Sequence, residues 1–228
     1  MTDISEIIKK INQKIEIPKI NNKIHNGKLW VNPKCKKGFL GIPKCASNTI
    51  KRLLNLKYTI DIDFPNLNKK IVFFTIMRNP IERYVSAYIE VIQDCKQYPG
   101  GRYHHNLGIS QEKTNTLDKI INSNNTNIEK FIRFTNLILN KWGFFEPHTT
   151  PQINYLAKNN ILFKNVKIFK LKEKNKIQKF LKLDLLYSNK CENIKLKKEL
   201  LNFIKLDNNF KNKLIHLYKS DFLIYNNI

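Results

Sequence analysis

A long apolar stretch over residues 71–77 limits the possible folds of this chain more than any other feature. Its length is typical of a central strand that is covered on both faces, as in a parallel sheet. Arg78 ends the stretch, Asn79 suits a helix N-cap, and Pro80 suits the first helical position. The residues that should face the core of the following helix recur at helical spacing: Ile81, Tyr84, Val85, Tyr88, Ile89 and Ile92. The pattern therefore predicts a strand, a turn and a helix, with Arg78 at the carboxyl end of the strand.

A similar pattern lies upstream. Residues 39–42 form a short apolar run. In residues 46–55, apolar and polar residues are spaced as in a helix. The turn between them places backbone N–H groups at a helix N-terminus, an arrangement that binds phosphate or sulfate. Lys44 can reach the same anion as a mobile point charge. The residues expected around the anion are Pro43, Lys44, Cys45, Ala46, Ser47, Asn48 and Thr49.

This loop departs from a nucleotide-binding P-loop, whose pattern is G-x-x-x-x-G-K-[ST]. No second glycine follows Gly41, and Lys44 comes before the polar cluster instead of just ahead of a closing Ser or Thr. An early lysine followed by small and hydroxylated residues resembles the 5′-phosphosulfate loop of sulfotransferases, the enzymes that use 3′-phosphoadenosine 5′-phosphosulfate (PAPS). The alternative is an ordinary strand-to-helix turn with a solvated lysine.

The segment that begins at Arg78 strengthens this resemblance. Residues 78–88 follow the pattern R-N-P-x-x-R-x-x-S-x-Y, which is similar to the 3′-phosphate-binding segment of the same enzymes. The resemblance implies that Arg78 and Ser86 hold the 3′-phosphate, which distinguishes PAPS from ordinary adenine nucleotides. Two such motifs, in this order and about one crossover unit apart, resemble a PAPS-dependent sulfotransferase of the carbohydrate (heparan/chondroitin) type.

Weaker similarities extend over most of the chain, from about Lys37. Residues 147–152 look like the H-x-x-P-Q element of carbohydrate sulfotransferases, and residues 166–173 look like their late strand and Glu-containing turn. Residues 218–225 are similar to their C-terminal Y-x-x-D-F-x-x-Y helix.

The resemblance implies transfer of a sulfuryl group from PAPS to a hydroxyl group, expected on a glycan. Lys44 would act on the bridging oxygen of the leaving group, and no metal is expected. His148 is the first candidate for the base that deprotonates the acceptor. A structural role for His148, in ordering the turn over residues 147–152, is equally open. The other candidates for the base are Glu146, Asp61, Asp63, His104 and His105.

The length of 228 residues predicts one α/β domain over residues 1–228, with a central, mainly parallel sheet flanked by helices and a P-loop-like strand–loop–helix. Residues 1–36 are expected to form an N-terminal helix and an arm that pack on this domain. Two other functions stay open: a P-loop-like small-molecule kinase and a non-catalytic nucleic-acid-binding protein. The net charge of +23 favours the second. However, the chain is rich in Lys, Asn and Ile throughout and has no recognisable nucleic-acid-binding motif, so nucleic acid is an unlikely partner.

The four cysteines form no C-x-x-C pair and no metal-ligand spacing. Free thiols in a reducing compartment are therefore expected, with Cys45 as a structural residue. The N-terminus has no apolar region typical of a signal peptide, and no apolar run is long enough to span a membrane. Many carbohydrate sulfotransferases are anchored in the Golgi by an N-terminal segment, so two expectations stay open: a soluble, cytoplasmic protein, or a sequence that is only the catalytic portion.

Overall fold

The structure, a computed structural model, describes residues 2–11, 15–18, 28–32, 36–59, 71–97, 110–145, 147–158, 161–162, 165–183 and 193–228. The strands are β1 (Thr2–Asp3), β2 (Lys28–Asn32), β3 (Lys37–Gly41), β4 (Lys57–Thr59), β5 (Val72–Met77), β6 (Ala157–Lys158), β7 (Ile161–Leu162) and β8 (Val166–Lys170). The α-helices are α1 (Ile4–Ile11), α2 (Ser47–Leu53), α3 (Pro80–Gln97), α4 (Gln111–Ile121), α5 (Asn127–Leu137), α6 (Gln152–Tyr155), α7 (Lys174–Leu181), α8 (Ile194–Leu206), α9 (Asn208–Leu217) and α10 (Lys219–Asn227). A short π-helix over Ile138–Trp142 continues α5.

Within the described ranges, a six-stranded sheet has the order β1-β8-β5-β3-β2-β4. The three central strands β8, β5 and β3 run parallel, whereas β1 and β2 are antiparallel to their neighbours. The predicted α/β class is confirmed, and the sheet is parallel in its centre and antiparallel at both margins. At the margin formed by β2, the reason is connection length, since parallel neighbours need a helical crossover and β2 joins β3 by a link too short for one.

Strand β5 lies at the centre of the sheet and is covered on both faces, as its apolar sequence predicts. Phe73 and Met77 belong to the core on one face, and Phe74 and Ile76 belong to the core on the other. Thr75 is also fully buried, and its hydroxyl donates to the Leu40 carbonyl at 2.8 Å. The one polar side chain of the strand is therefore hydrogen-bonded to the neighbouring strand.

Helices cover both faces of the sheet and form a further layer. The core on one face contains residues of α1, α10 and the turn after α6, and the core on the other contains residues of α2 and α7. A third, aromatic-rich core joins α3 to α4, α5, α8 and α9. The predicted inner side of α3 is confirmed, because Tyr84, Val85, Tyr88 and Ile89 are buried. Asn79 caps this helix by accepting from the Glu82 amide at 3.2 Å.

The N-terminal segment contains the expected helix, but part of the expected arm is a strand of the sheet. Helix α1 packs against α10 and β8, but β2 is an internal strand of the sheet, paired with both β3 and β4. Leu29 and Val31 are buried on either side of the half-buried Trp30, so the alternation was weak and the strand signal was short. None of the described helices combines the length and the apolar character needed to cross a membrane. The cytoplasmic location stays a prediction.

Candidate active site

The loop between β3 and α2 is tightly folded around the Ile42 carbonyl. The Cys45 amide donates to that oxygen at 3.2 Å, and the Ser47 hydroxyl donates to it as well. Lys44 and Ala46 have positive φ values of 63° and 60°, a left-handed backbone that non-glycine residues adopt rarely and at a cost of about 1–2 kcal/mol each. Such conformations concentrate at ligand-binding loops.

This geometry changes which groups of the loop are suited to an anion. The Cys45 amide and the Ser47 hydroxyl, both proposed from sequence as donors, already have a partner inside the loop. Helix α2 has no side-chain N-cap, because Ala46 occupies that position. Asn48 is exposed at the start of the helix. The first-turn amides and Asn48 are therefore the groups of the loop that remain candidates for contact with an anion.

Lys44 reaches across from the loop to helix α3. Its ammonium forms an ion pair with the Glu90 carboxylate, and the two side chains are 23% and 34% exposed. An ion pair at this exposure contributes little to stability, on the order of 0–1 kcal/mol. Lys44 can therefore exchange Glu90 for another anion at little cost.

Arg78 occupies the other end of the same region. Its Nε lies 3.4 Å from Oε2 of Glu82, and its side chain is 15% exposed. Ser86 lies one turn after Glu82 on α3 and is buried. Its hydroxyl donates to the Glu82 carbonyl at 2.9 Å. To donate to a phosphate, this hydroxyl must rotate away from the carbonyl, which needs only a change of side-chain rotamer.

Glu82, Ser86 and Glu90 follow one another at four-residue spacing, so they form one stripe along α3, which we call the α3 stripe. Glu82 contacts Arg78 and Glu90 contacts Lys44. The structure thus brings the two predicted cations to opposite ends of a stripe about 12 Å long, with Ser86 between them.

Arg83 has a different environment from Arg78 although it belongs to the same motif. It is 1% exposed, and its guanidinium donates to three carbonyl oxygens, those of Pro43 (3.0 Å), Thr150 (2.7 Å) and Pro147 (3.5 Å). Arg83 therefore ties the loop between β3 and α2 to the turn over residues 147–150.

Gln152 and Asp221 form a second buried link. The Gln152 side chain accepts from the Arg78 amide (2.9 Å) and donates to the Arg78 carbonyl (2.8 Å), so it clamps the backbone at the end of β5. Asp221 is fully buried and accepts from the amides of Gln152 (2.7 Å) and Ile153 (2.8 Å). Burial raises the pKa of Asp221 to about 6, against the opposing effects of these amides and of Arg83.

Cys45 completes this group, because its thiol donates to Oε1 of Gln152 at 3.2 Å. Burial raises the pKa of the thiol to about 11, so the thiolate is scarce at neutral pH and the side chain is not a nucleophile. Cys45, Arg83, Gln152 and Asp221 are called the buried frame below. The frame fixes the loop, the end of β5 and the turn before α6 relative to one another.

His148 lies in the turn that the buried frame holds. The neighbouring carbonyl of Pro147 accepts from Arg83, and that of Thr149 accepts from the Tyr218 hydroxyl. These contacts order the backbone on both sides of His148 and do not distinguish its two possible roles. The other candidates for the base, which lie outside the described residues, are Glu146, Asp61, Asp63, His104 and His105.

The sequence provided only part of the signal for the buried frame. Gln152 and Asp221 stood in family-like elements, but the pattern assigned them no role. Arg83 and Glu90 are both charged residues of α3, and nothing in their spacing shows that Arg83 is buried and that Glu90 faces Lys44.

A family model described as "Sulfotransferase family" matches residues 27–226, which include the whole of this site. No curated protein and no solved structure matches the chain.

Proposed function

Because the chain belongs to the sulfotransferase family, we propose that it transfers the sulfuryl group of PAPS to a hydroxyl group of a carbohydrate. Membership makes the protein a sulfotransferase that acts on a hydroxyl-bearing acceptor. The identity of the donor in this chain and the carbohydrate nature of the acceptor are the proposed parts.

One observation carries the choice of donor: Lys44 and Arg78 lie at opposite ends of the α3 stripe. PAPS has anionic groups at two places on its ribose, the 3′-phosphate and the 5′-phosphosulfate. ATP, in contrast, has all its phosphates in one chain on the 5′ side. Two separated cations, each in a weak ion pair, fit the first pattern of charge better than the second.

The residues of the site fit PAPS in the following roles. Arg78 offers a planar guanidinium for the 3′-phosphate, with the Ser86 hydroxyl beside it. The N-terminus of α2, which has no side-chain cap, would face the 5′-phosphate together with Asn48. The ammonium of Lys44 neutralises the charge that develops on the leaving phosphate oxygen. When bound, PAPS supplies an activated sulfuryl group, whose in-line transfer resembles phosphoryl transfer.

The acceptor is proposed from different evidence. The turn over residues 147–152 and the helix over residues 218–225 resemble elements of carbohydrate sulfotransferases, and both contribute to the buried frame through Gln152 and Asp221. His148 in this turn stays the prediction of the sequence for the base. Neither a small-molecule kinase nor a nucleic-acid-binding protein is favoured by the family or by the loop.

Calorimetric binding of adenosine 3′,5′-bisphosphate, adenosine 5′-phosphate, ATP and duplex DNA tests the proposal. We expect clear preference for the bisphosphate. Arg78→Ala should weaken its binding by about 2–4 kcal/mol, as loss of a charged and partly desolvated hydrogen bond does, and should barely change binding of adenosine 5′-phosphate. The matched control is Arg133→Ala, which removes an exposed arginine of α5.

Preference for ATP or DNA would overturn the proposed donor. Equal weakening of both adenine nucleotides by Arg78→Ala would show that Arg78 supports the fold and not the 3′-phosphate. A screen with radiolabelled PAPS then tests the acceptor, using heparosan, unsulfated chondroitin, simple glycosides and tyrosine peptides. Transfer to peptides alone would overturn the carbohydrate proposal.

A further inference from the structure

We propose that Glu90 is the general base that removes the proton from the acceptor hydroxyl, an inference that rests on the proposed function. Its carboxylate contacts the ammonium of Lys44, the group that would neutralise the leaving phosphate. When the ammonium exchanges Glu90 for that phosphate, the released carboxylate would still lie beside the ammonium and the group bound to it. Glu90 is therefore within hydrogen-bond reach of a hydroxyl that approaches the sulfuryl group.

The exposure of Glu90 suits this role. Its side chain is 34% exposed, so it is open to an acceptor that enters from solvent while it still contacts Lys44. The pair is weak at this exposure, and both side chains are long enough to separate when an acceptor enters between them. A carboxylate beside the cation that should bind an anion also weakens donor binding, which makes a purely stabilising role a poor explanation.

Other carboxylates near the site have different surroundings. Glu82 is paired with Arg78 at the far end of the α3 stripe. Asp221 is completely buried and accepts from two backbone amides. Among the residues that the structure describes, Glu90 is the carboxylate paired with Lys44, and His148 is linked to the loop through the contacts that its neighbours make with Arg83.

In the proposed step, sulfuryl transfer and proton transfer occur together. The acceptor oxygen forms a bond to sulfur as the bond between sulfur and the 5′-phosphate oxygen breaks. The acceptor proton passes to a carboxylate oxygen of Glu90. The electron pair of the broken bond stays on the phosphate oxygen, next to the ammonium of Lys44, and solvent later takes the proton from Glu90.

The test compares Glu90→Gln with Glu112→Gln, a control that removes an exposed glutamate paired with Lys141 away from the site. Binding of adenosine 3′,5′-bisphosphate is measured by calorimetry. Turnover is measured as transfer of the labelled sulfuryl group from PAPS to heparosan oligosaccharides and to water. We expect Glu90→Gln to lower turnover by roughly 10²–10⁴-fold, the usual effect of losing a positioned base. Its affinity for the bisphosphate should be unchanged or higher, since a negative charge has been removed. Glu90→Ala should regain turnover when formate is added.

Three results would overturn the role of Glu90: turnover of Glu90→Gln within about threefold of wild type, a parallel loss of bisphosphate affinity, or no rescue of Glu90→Ala by formate. Full activity of Glu90→Gln together with an inactive, bisphosphate-binding His148→Gln would assign the base to His148. A wild-type protein that fails to bind the bisphosphate, or that binds it but transfers no label, would instead overturn the proposed function, and the role of Glu90 with it.

Discussion

Lys44 and Cys45 are neighbours in one loop, and Arg78 and Arg83 belong to one motif, yet the members of each pair have opposite environments. Lys44 and Arg78 are partly exposed and pair with carboxylates of the α3 stripe. Cys45 and Arg83 are buried and hydrogen-bond to Gln152 and to three backbone carbonyls. The exposed pairs are weak and exchangeable, whereas the buried contacts fix three chain segments in one arrangement.

This difference separates two functions within the same short motifs. Groups that bind and release an anionic donor must be able to change partner, which requires solvent access and a modest interaction energy. Groups that set the positions of those cations must not move, and a buried cation bonded to backbone carbonyls meets that need. Substitutions in the two sets should therefore affect different measurements, binding or turnover for the first and stability for the second.

The largest effect is expected for Arg83→Ala. Removing the guanidinium removes its hydrogen bonds to the carbonyls of Pro43, Pro147 and Thr150 and opens a cavity. The free energy of unfolding should fall by about 3–5 kcal/mol. Urea unfolding measures it, with the exposed Arg133→Ala as the control for loss of one arginine. A loss below about 1 kcal/mol would show that Arg83 is not part of a stabilising frame.

The next largest effect is expected for Lys44→Ala, and it should appear in turnover. The variant should lower kcat by roughly 10²–10³-fold, because the charge on the leaving phosphate loses its neutralising ammonium, with a smaller change in PAPS affinity. Its free energy of unfolding should stay within about 1 kcal/mol of wild type.

Lys141→Ala is the matched control for Lys44→Ala, since Lys141 also pairs with a glutamate, Glu112, at 3.7 Å, but lies outside the site. We expect that control to keep its turnover. If Lys44→Ala turned over at nearly the wild-type rate, Lys44 would have no part in the mechanism.

The smallest effect concerns the pH dependence of stability through Asp221. Burial raises its pKa from 3.8 to about 6 in the folded protein, so between these values the folded state binds more protons than the unfolded state. The contribution of Asp221 is therefore fully present below about pH 4 and is lost as the pH rises through about 6. Over this range the stability of wild type relative to Asp221→Asn should fall by up to about 3 kcal/mol. Urea unfolding of both proteins from pH 4 to pH 7 measures this; parallel curves would mean that Asp221 has an ordinary pKa.

The local elements of the site were predictable from short stretches of sequence. The apolar stretch of β5, the cap at Asn79 and the helical spacing of α3 are each decided by neighbours in the chain, so their positions agree with the structure to within a few residues. The short strand β2 was missed because five residues with weak alternation carry little signal, and its pairing depends on two distant strands.

The sequence alone predicts two strand–turn–helix units, with Arg78 at the carboxyl end of the second strand, because periodicity and capping act over one or two turns. Which of the polar residues are buried depends on contacts between segments that are distant in the chain. Arg78 and Arg83 are equally polar in sequence, and contacts such as Cys45 with Gln152, 107 residues apart, or Gln152 with Asp221, 69 residues apart, exist only after the sheet has brought these segments together. The physical reason is that desolvation and hydrogen bonding depend on the surrounding atoms in space, and spacing along the chain does not contain that information.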